Sequence, residues 1–265
     1  MKSQHLYLND QSVKNNRHFE TAYEIIKYST AQVEAIKAYK REKGFLKNYN
    51  SKLGRGIFSF DLLAISSCPD SDSCFKECYA NQGTFLFPST KKSNTYNFAI
   101  ALHDIDYLEA ELKQEIVKKK IKNIRIHSSG DFYSREYFMM WLNIANHFPN
   151  VNIFTYSKAP QIDRSILPKN LNIINSFVKV ADKEVLNFGS YNDMKALAQH
   201  PDVKGLLCPI TKGNHFKKLG YSLKDSDPTK SKEYLAKAKK LQPPKFTCSV
   251  CKYCITKKKP TFVMH

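Results

Sequence analysis

The sequence predicts an α/β protein: a partial or complete (β/α) barrel of parallel strands, with a Cys-rich, basic C-terminal extension. Five short apolar runs, at about 60–66, 123–127, 151–156, 171–175 and 204–208, alternate with segments of helical period. That is the pattern of parallel strands joined by right-handed crossovers. No G-x-G-x-x-G follows any run, which sets a nucleotide-binding doubly wound sheet aside. Residues able to do chemistry stand just after the runs: Cys68, then His127 to Asp131, then Tyr156-Ser157-Lys158, then Asn175-Ser176, then Cys208. In (β/α) barrels the reactive groups gather at the carboxyl ends of the strands, so these residues would form one polar rim. The expected organisation is a helical or loop segment over 1–56, a barrel core over 57–211, and the extension over 212–265, packed on the barrel.

Residues 1–28 are polar with interleaved aromatics and carry little signal. Ser29 and Gln32 have capping-box spacing, Val33 and Ile36 begin an apolar stripe, and Gly44 stands where a helix ends, so a helix is expected over 30–43. Residues 45–56 read as a loop or hairpin leading to the first central strand, Phe60 to Ser66, and a helix can begin at Cys74. Thr84 to Asn97 shows no clean period. Asp104 caps a helix with Ile105, Leu108, Leu112 and Ile116 on one face, ending at Lys118-Lys119-Lys120, where cations suit the helix dipole. Asn123 to His127 is the second strand, followed by the turn Ser128-Ser129-Gly130-Asp131. Ser134 caps a helix with Tyr137, Phe138, Trp141, Leu142 and Ala145 inward, stopped by Pro149. Two more strands, a short segment near 161–167, an undecided stretch over 178–187, a helix from Asn192 to Gln199 and a last strand from Val203 to Leu207 complete the series.

With 265 residues and 42% hydrophobic content, the chain can bury a substantial core. No apolar run approaches ~20 residues, and Met1-Lys2-Ser3-Gln4-His5 opens no signal stretch, so a soluble cytoplasmic protein without a membrane anchor is expected. The net charge of +18 is uneven: residues 1–60 hold 11 Lys/Arg against 5 Asp/Glu, 61–211 hold 17 against 16, and 212–259 hold 14 against 3. A balanced body with basic flanks suits a polyanion such as DNA or RNA. A generally lysine-rich surface would give the same count. In the tail, Lys239, Lys240, Lys245, Lys252, Lys257, Lys258 and Lys259 stand among Tyr234, Phe246 and Tyr253, cations for phosphates and rings for bases.

All seven cysteines fall in three places, Cys68/Cys74/Cys78, Cys208, and Cys248/Cys251/Cys254, a clustering that points to metal rather than disulfides. Cys68-x5-Cys74-x3-Cys78 is not the C-x2-C of a zinc knuckle. Three thiolates on a [4Fe–4S] cluster would leave one iron open, whereas zinc would require a closed tetrahedral set. Cys248-x2-Cys251-x2-Cys254 has ferredoxin-type spacing, with Cys208 as the available fourth ligand, and zinc fits that set as well. His127 and Asp131 are candidate catalytic groups, the histidine as donor, base or ligand and the carboxylate as an amine-binding group; a buried histidine before an ordinary Gly-Asp turn is the structural alternative. Tyr156 and Lys158 should face one side of their strand and Ser157 the other, which makes the pair a further catalytic candidate.

The motifs C-P-x4-C-x3-C-Y-A-x2-G at 68–83, R-I-H-S-S-G-D-F-Y-S at 125–134, F-T-Y-S-K at 154–158, C-P at 208–209 and C-x2-C-x2-C at 248–254 resemble the gene-product-88 family of phage and plasmid proteins. The chain is also similar, at a distance, to radical S-adenosylmethionine enzymes, whose partial barrel places three cluster-binding cysteines after the first strand and a Gly-Gly-Glu-like turn after the second. The resemblance implies a cluster on Cys68, Cys74 and Cys78 and a cofactor, S-adenosylmethionine, held by Ser129, Gly130, Asp131 and Asn175. It further implies an external reductant and, on Cys208, Cys248, Cys251 and Cys254, an auxiliary cluster. The spacing departs from that pattern, x5 then x3 in place of x3 then x2, and the turn offers one glycine and a shorter acid. A non-catalytic, zinc-stabilised nucleic-acid-binding protein is the alternative reading.

Overall fold

A computed structural model describes residues 22–50, 53–69, 78–81, 83–159, 162–180, 183–186, 188–189, 191–199, 206–207, 209–241, 254 and 260–263. The chain divides into two compact units, one of Met1–Tyr49 with Gly56–Ile173, the other of Asn50–Arg55 with Ile174–His265. The division at Ile173 falls inside the expected 57–211 core.

In the first unit, α1 (Ala22–Ile26) precedes α2 (Thr30–Lys43). Ser29 and Gln32 form the expected capping box, and the Gly44 N–H donates to the Lys40 carbonyl at the other end. A hairpin of β1 (Lys47–Asn50) and β2 (Gly54–Phe60) follows; its three-residue connection closes only an antiparallel pair. Beyond two short 3-10 turns, at Tyr79–Asn81 and Gly83–Leu86, come α3 (Pro88–His103), α4 (Ile105–Lys118), β3 (Asn123–Ile126), α5 (Arg135–His147) and β4 (Asn152–Ser157). A third 3-10 turn, Arg164–Ile166, leads to β5 (Leu171–Asn175).

The five strands form one mixed, mostly parallel sheet in sequential order. Phe58 stands opposite Ile124, Phe60 opposite Ile126, and Ile124 opposite Ile153. The order has no switch point, unlike a doubly wound sheet. Among the described residues it also has two edge strands, β1 and β5, so the expected barrel closure is not seen there. One core runs beneath it. Leu108, Leu112 and Ile116 of α4, and Tyr137, Phe138, Trp141, Leu142 and Ala145 of α5, are buried as their helical spacing requires. Asp104 and Ser134 cap these helices, accepting the N–H groups of Tyr107 and Tyr137. The side-chain amide of Asn170 donates to the carbonyls of Ala145, Phe148 and Val151, fixing the end of α5 beside the start of β4.

Three expectations need correction here. The first central strand ends at Phe60 instead of running through Ser66. Leu62, Leu63, Ala64 and Ile65 are buried in a turn, with Ile65 in the left-handed region (φ 69), and an unbroken apolar run cannot by itself distinguish a strand from a buried turn. Second, the periodless stretch after Thr84 contains α3, which starts on Pro88 and buries Asn94, Thr95, Asn97 and Phe98 to Ala101. Burial on several sides erases the amphipathic stripe that reveals a surface helix. Third, the strand near 204–208 is outside the central sheet.

In the second unit, β6 (Phe177–Val180) and β7 (Lys183–Leu186) form an antiparallel hairpin across the undecided stretch. β8 (Phe188–Gly189) and α6 (Tyr191–Gln199) follow. β9 (Leu206–Leu207) and β8 both pair parallel to β10 (Pro260–Val263) in a separate three-stranded sheet. The described part of the basic region contains α7 (Pro209–Ser222) and α8 (Pro228–Leu241). Their close approach uses Gly220, where a Cβ would stand 2.6 Å from Leu235 Cγ, and the Ser231 hydroxyl donates to the Gly220 carbonyl at 2.7 Å. No described helix is long and apolar enough to cross a membrane.

Candidate functional site

The site is built where β2 and β3 end. The His127 N–H continues the ladder to the Phe60 carbonyl (2.8 Å), and His127 then takes a left-handed conformation (φ 60) that turns the chain away from the sheet. The turn Ser128–Asp131 is held by the segment after β2. Asp61 Oδ1 accepts the Ser128 N–H at 2.7 Å. The Leu62 N–H donates to the Ser129 carbonyl (3.0 Å), the Ser129 hydroxyl donates back to the Leu62 carbonyl (2.8 Å), and the Asp131 N–H donates to the Ser67 carbonyl (3.3 Å). Gly130, at φ 83, lies so close that a Cβ would stand 2.5 Å from Ser67 Oγ and 2.7 Å from Leu62 Cβ. Only glycine fits there, for both conformation and space.

This stitching carries the thiols to the rim. Cys68 follows Ser67 directly, and its N–H donates to the Ile65 carbonyl at 3.0 Å. Cys78 packs on the small cluster of Ala64, Ile65 and Ala80, and the neighbouring Tyr79 hydroxyl donates to the Ser128 carbonyl at 2.5 Å. Both thiols are half-buried and outside any disulfide. Cys74 lies outside the described residues, as do Cys208, Cys248 and Cys251, while Cys254 is buried. Among the described residues no three His, Cys, Asp or Glu side chains group closely enough for a metal ion. Cys68 and Cys78 are of the soft donor type that thiophilic metals take, and Cys78 lies against the apolar cluster.

The polar residues behind the rim are buried and engaged. His127 sets Nε2 3.0 Å from the Tyr137 hydroxyl and Nδ1 3.5 Å from Thr155 Oγ1, with its ring edge-on to Phe132. Burial, then the charge of Arg125, lowers its pKa to about 3, so the imidazole is neutral at ordinary pH. Asp131 Oδ1 accepts the Ser157 hydroxyl (2.7 Å) and the Phe132 N–H (2.8 Å), and Oδ2 accepts the Lys158 N–H (2.8 Å). Burial raises its pKa against those three bonds. Asp131 thus joins the end of β3 to the end of β4. Ser157 faces inward as the alternation of β4 requires; Tyr156 lies half-buried with the Arg125 guanidinium 5.2 Å from its ring centroid, and Lys158 is half-buried. Asn175 is exposed at the last position of β5.

Ser129 spends its hydroxyl on Leu62, and Gly130 is enclosed by Leu62 and Ser67. Asp61, Ser67, Tyr79 and Arg164 belong to the rim, and sequence reasoning missed them. Asp61 looked like part of a strand, although a carboxylate opening an otherwise apolar run was a visible signal. Of the proposed nucleic-acid lysines, Lys239 and Lys240 are exposed in the last turn of α8, and Lys245, Lys252, Lys257, Lys258 and Lys259 lie outside the described residues. Tyr234 stacks on Phe216 with Lys237 above it, within the helical pair.

Fold and site together define a class: an α/β protein with a mostly parallel sheet whose strand-end loops carry thiols and a buried polar clamp. The chain belongs to the Gene product 88 family, whose model matches residues 33–257. It is 29% identical over 104 residues to the Gene 88 protein of Mycobacterium phage D29, and 30% identical over 104 residues to that of Mycobacterium phage L5. Each match covers 35% of this chain and 43% of the phage protein. No solved structure matches.

Proposed function

We propose that this is a cytoplasmic iron–sulfur protein of the radical S-adenosylmethionine type, on a partial (β/α) barrel, acting on or beside nucleic acid. The supporting observation is that the chain neighbours of two thiols, Ser67 beside Cys68 and Tyr79 beside Cys78, both bond the turn Ser128–Asp131, which follows the carboxyl end of β3. Cys68, Cys74 and Cys78 would hold a [4Fe–4S] cluster, which with three thiolates keeps an iron open and, given an external reductant, supplies radical chemistry on S-adenosylmethionine. Ser129, Gly130 and Asp131 would form the wall on which that cofactor rests. Asp131 and His127 hold the wall in place, the first by tying β3 to β4 and the second as a neutral imidazole against Tyr137. Tyr156 and Lys158 are the nearest candidates on the β4 side. Cys208, Cys248, Cys251 and Cys254 would hold a second cluster, for which zinc is an alternative.

The test is the iron, zinc and acid-labile sulfide content of the anaerobically purified full chain beside Cys68→Ala, Cys74→Ala and Cys78→Ala. Each substitution should remove about four irons from a chain that otherwise carries them. Zinc with no iron in the unmodified chain would overturn the reading. The exposed cations ending α8 favour a second one, a zinc-stabilised nucleic-acid-binding protein without catalysis. It predicts salt-dependent binding that survives His127→Ala and Asp131→Ala in folded protein.

A further inference from the structure

Tyr79 is open and fixed at the same time. Its side is 50% exposed, yet its hydroxyl donates to the Ser128 carbonyl and its ring meets Phe85 edge-on, with centroids 5.7 Å apart. A ring already immobilised has little freedom left to lose when a flat partner stacks on it. Leu86 and Phe87 follow, also exposed. From Cys78 to His103 the chain holds Lys91 and Lys92 and no carboxylate, and Lys92 is stationed over the rings of Tyr39 and Tyr96. This side of the rim is therefore aromatic, and the segment that leaves it through α3 is cationic.

Arg164 adds an anion-seeking group beside the other end of the same turn. It opens the 3-10 turn after β4, its Nε is buried without a hydrogen bond, and the Asp131 carboxylate acts on it. Asp131 spends three of its acceptor sites on Ser157, Phe132 and Lys158 and makes no bond to that nitrogen. A buried guanidinium nitrogen without an acceptor is costly, and an incoming phosphate oxygen would supply the bond. Ser128 and Asp131 are three residues apart, at most about 10 Å of chain, a span one or two nucleotides can bridge.

We propose that this rim binds single-stranded nucleic acid, with an unpaired base stacked on Tyr79 and a backbone phosphate on Arg164. The inference rests on the reading of the rim as the functional site and names its substrate class. A single strand fits better than a duplex because only an unstacked base can offer its face to a protruding ring. Here the base is recognised by stacking, so the site tolerates any sequence.

The experiment is fluorescence anisotropy with the metal-loaded full chain and labelled oligothymidylate, oligouridylate and a duplex, over a range of salt. The single strands should bind more tightly than the duplex, and the two single-strand arms report whether DNA or RNA is preferred. Tyr79→Ala should weaken binding roughly 5- to 150-fold without changing the salt slope. Tyr79→Phe, which keeps the ring, should retain most of the affinity. Arg164→Gln should lower the slope of log K against log salt by about 0.7, the loss of one phosphate contact. Equal binding of duplex and single strand, or Tyr79→Ala and Arg164→Gln chains that bind as the unmodified protein does, would overturn the proposal. Iron content of the same samples keeps the two readings apart: iron present with Tyr79-independent binding defeats only the stacking site, and iron absent with Tyr79-dependent binding defeats only the cluster.

Discussion

Replacing Gly130 by alanine tests the clamp between the segments that follow β2 and β3. Two costs add. At φ 83 an alanine occupies the left-handed region, worth about 1–2 kcal/mol against glycine. Its Cβ would also stand 2.5 Å from Ser67 Oγ and 2.7 Å from Leu62 Cβ, and neither neighbour is the far end of a flexible chain. Ser67 is tied to the Leu63 carbonyl (2.7 Å) and to the Asp131 N–H, and Leu62 is fully buried, so relief requires backbone movement; overpacking of that kind costs about 1–3 kcal/mol. The expected loss is about 2–5 kcal/mol, a large share of the ~5–15 kcal/mol that stabilises a typical domain. The chain's single tryptophan, Trp141, is fully buried in the same unit and edge-on to Phe60, so its fluorescence reports unfolding of that unit in urea. On the proposed cluster, iron content should fall in the same variant, because Cys68 adjoins Ser67. A loss below about 1 kcal/mol would refute the close approach of the two segments.

Two further outcomes follow from buried groups. Glu115 accepts the N–H groups of Phe45 and Leu46 and pairs with Lys119 at 2.5 Å, so Glu115→Ala should destabilise by about 2–4 kcal/mol by orphaning two buried donors, with Glu115→Gln milder, both read by the urea midpoint. His127 resists protonation down to about 3 in the folded chain against 6.5 when unfolded. Between those values the unfolded chain binds the extra proton, so this contribution is complete above pH 6.5 and is lost as pH falls toward 3, at up to about 1.4 kcal/mol per pH unit. The difference between the unmodified chain and His127→Gln, measured from pH 4 to 7 by the same fluorescence, should carry that slope, and parallel curves would show that His127 is not held neutral.

The candidate site was legible in its residue types and only partly in their roles. The G-D turn was legible as the segment that follows a strand, because Gly130 and Asp131 come soon after the run that ends at His127. That His127 and Asp131 are enclosed was not legible: their partners Tyr137, Thr155, Ser157 and Lys158 lie 10 to 28 positions away in sequence. Tyr79 and Arg164 escaped notice for the same reason, since neither sits in a spacing that means anything until Ser128 and Asp131 are beside them.

By itself the sequence determined what is local. Ser29 with Gln32, Asp104 and Ser134 begin helices where their side chains can reach the next N–H groups, and the spacing of Leu108, Leu112 and Ile116 sets which face of α4 is buried. Caps and periodicity act over a few residues, so no distant partner is needed to read them. Tertiary structure alone decided whether an apolar run became strand or turn, and with which sheet a strand paired. Leu62 to Ile65 leave the sheet because Asp61, Leu62 and Ser67 bond the turn at Ser128–Asp131, and Leu206–Leu207 joins β10 because parallel pairing requires a distant partner. Local bonds close the turn at Leu63, Ala64 and Ile65, but the backbone groups of Leu62 and the strand at Leu206–Leu207 are satisfied by residues more than fifty positions away, a choice that no window of sequence contains.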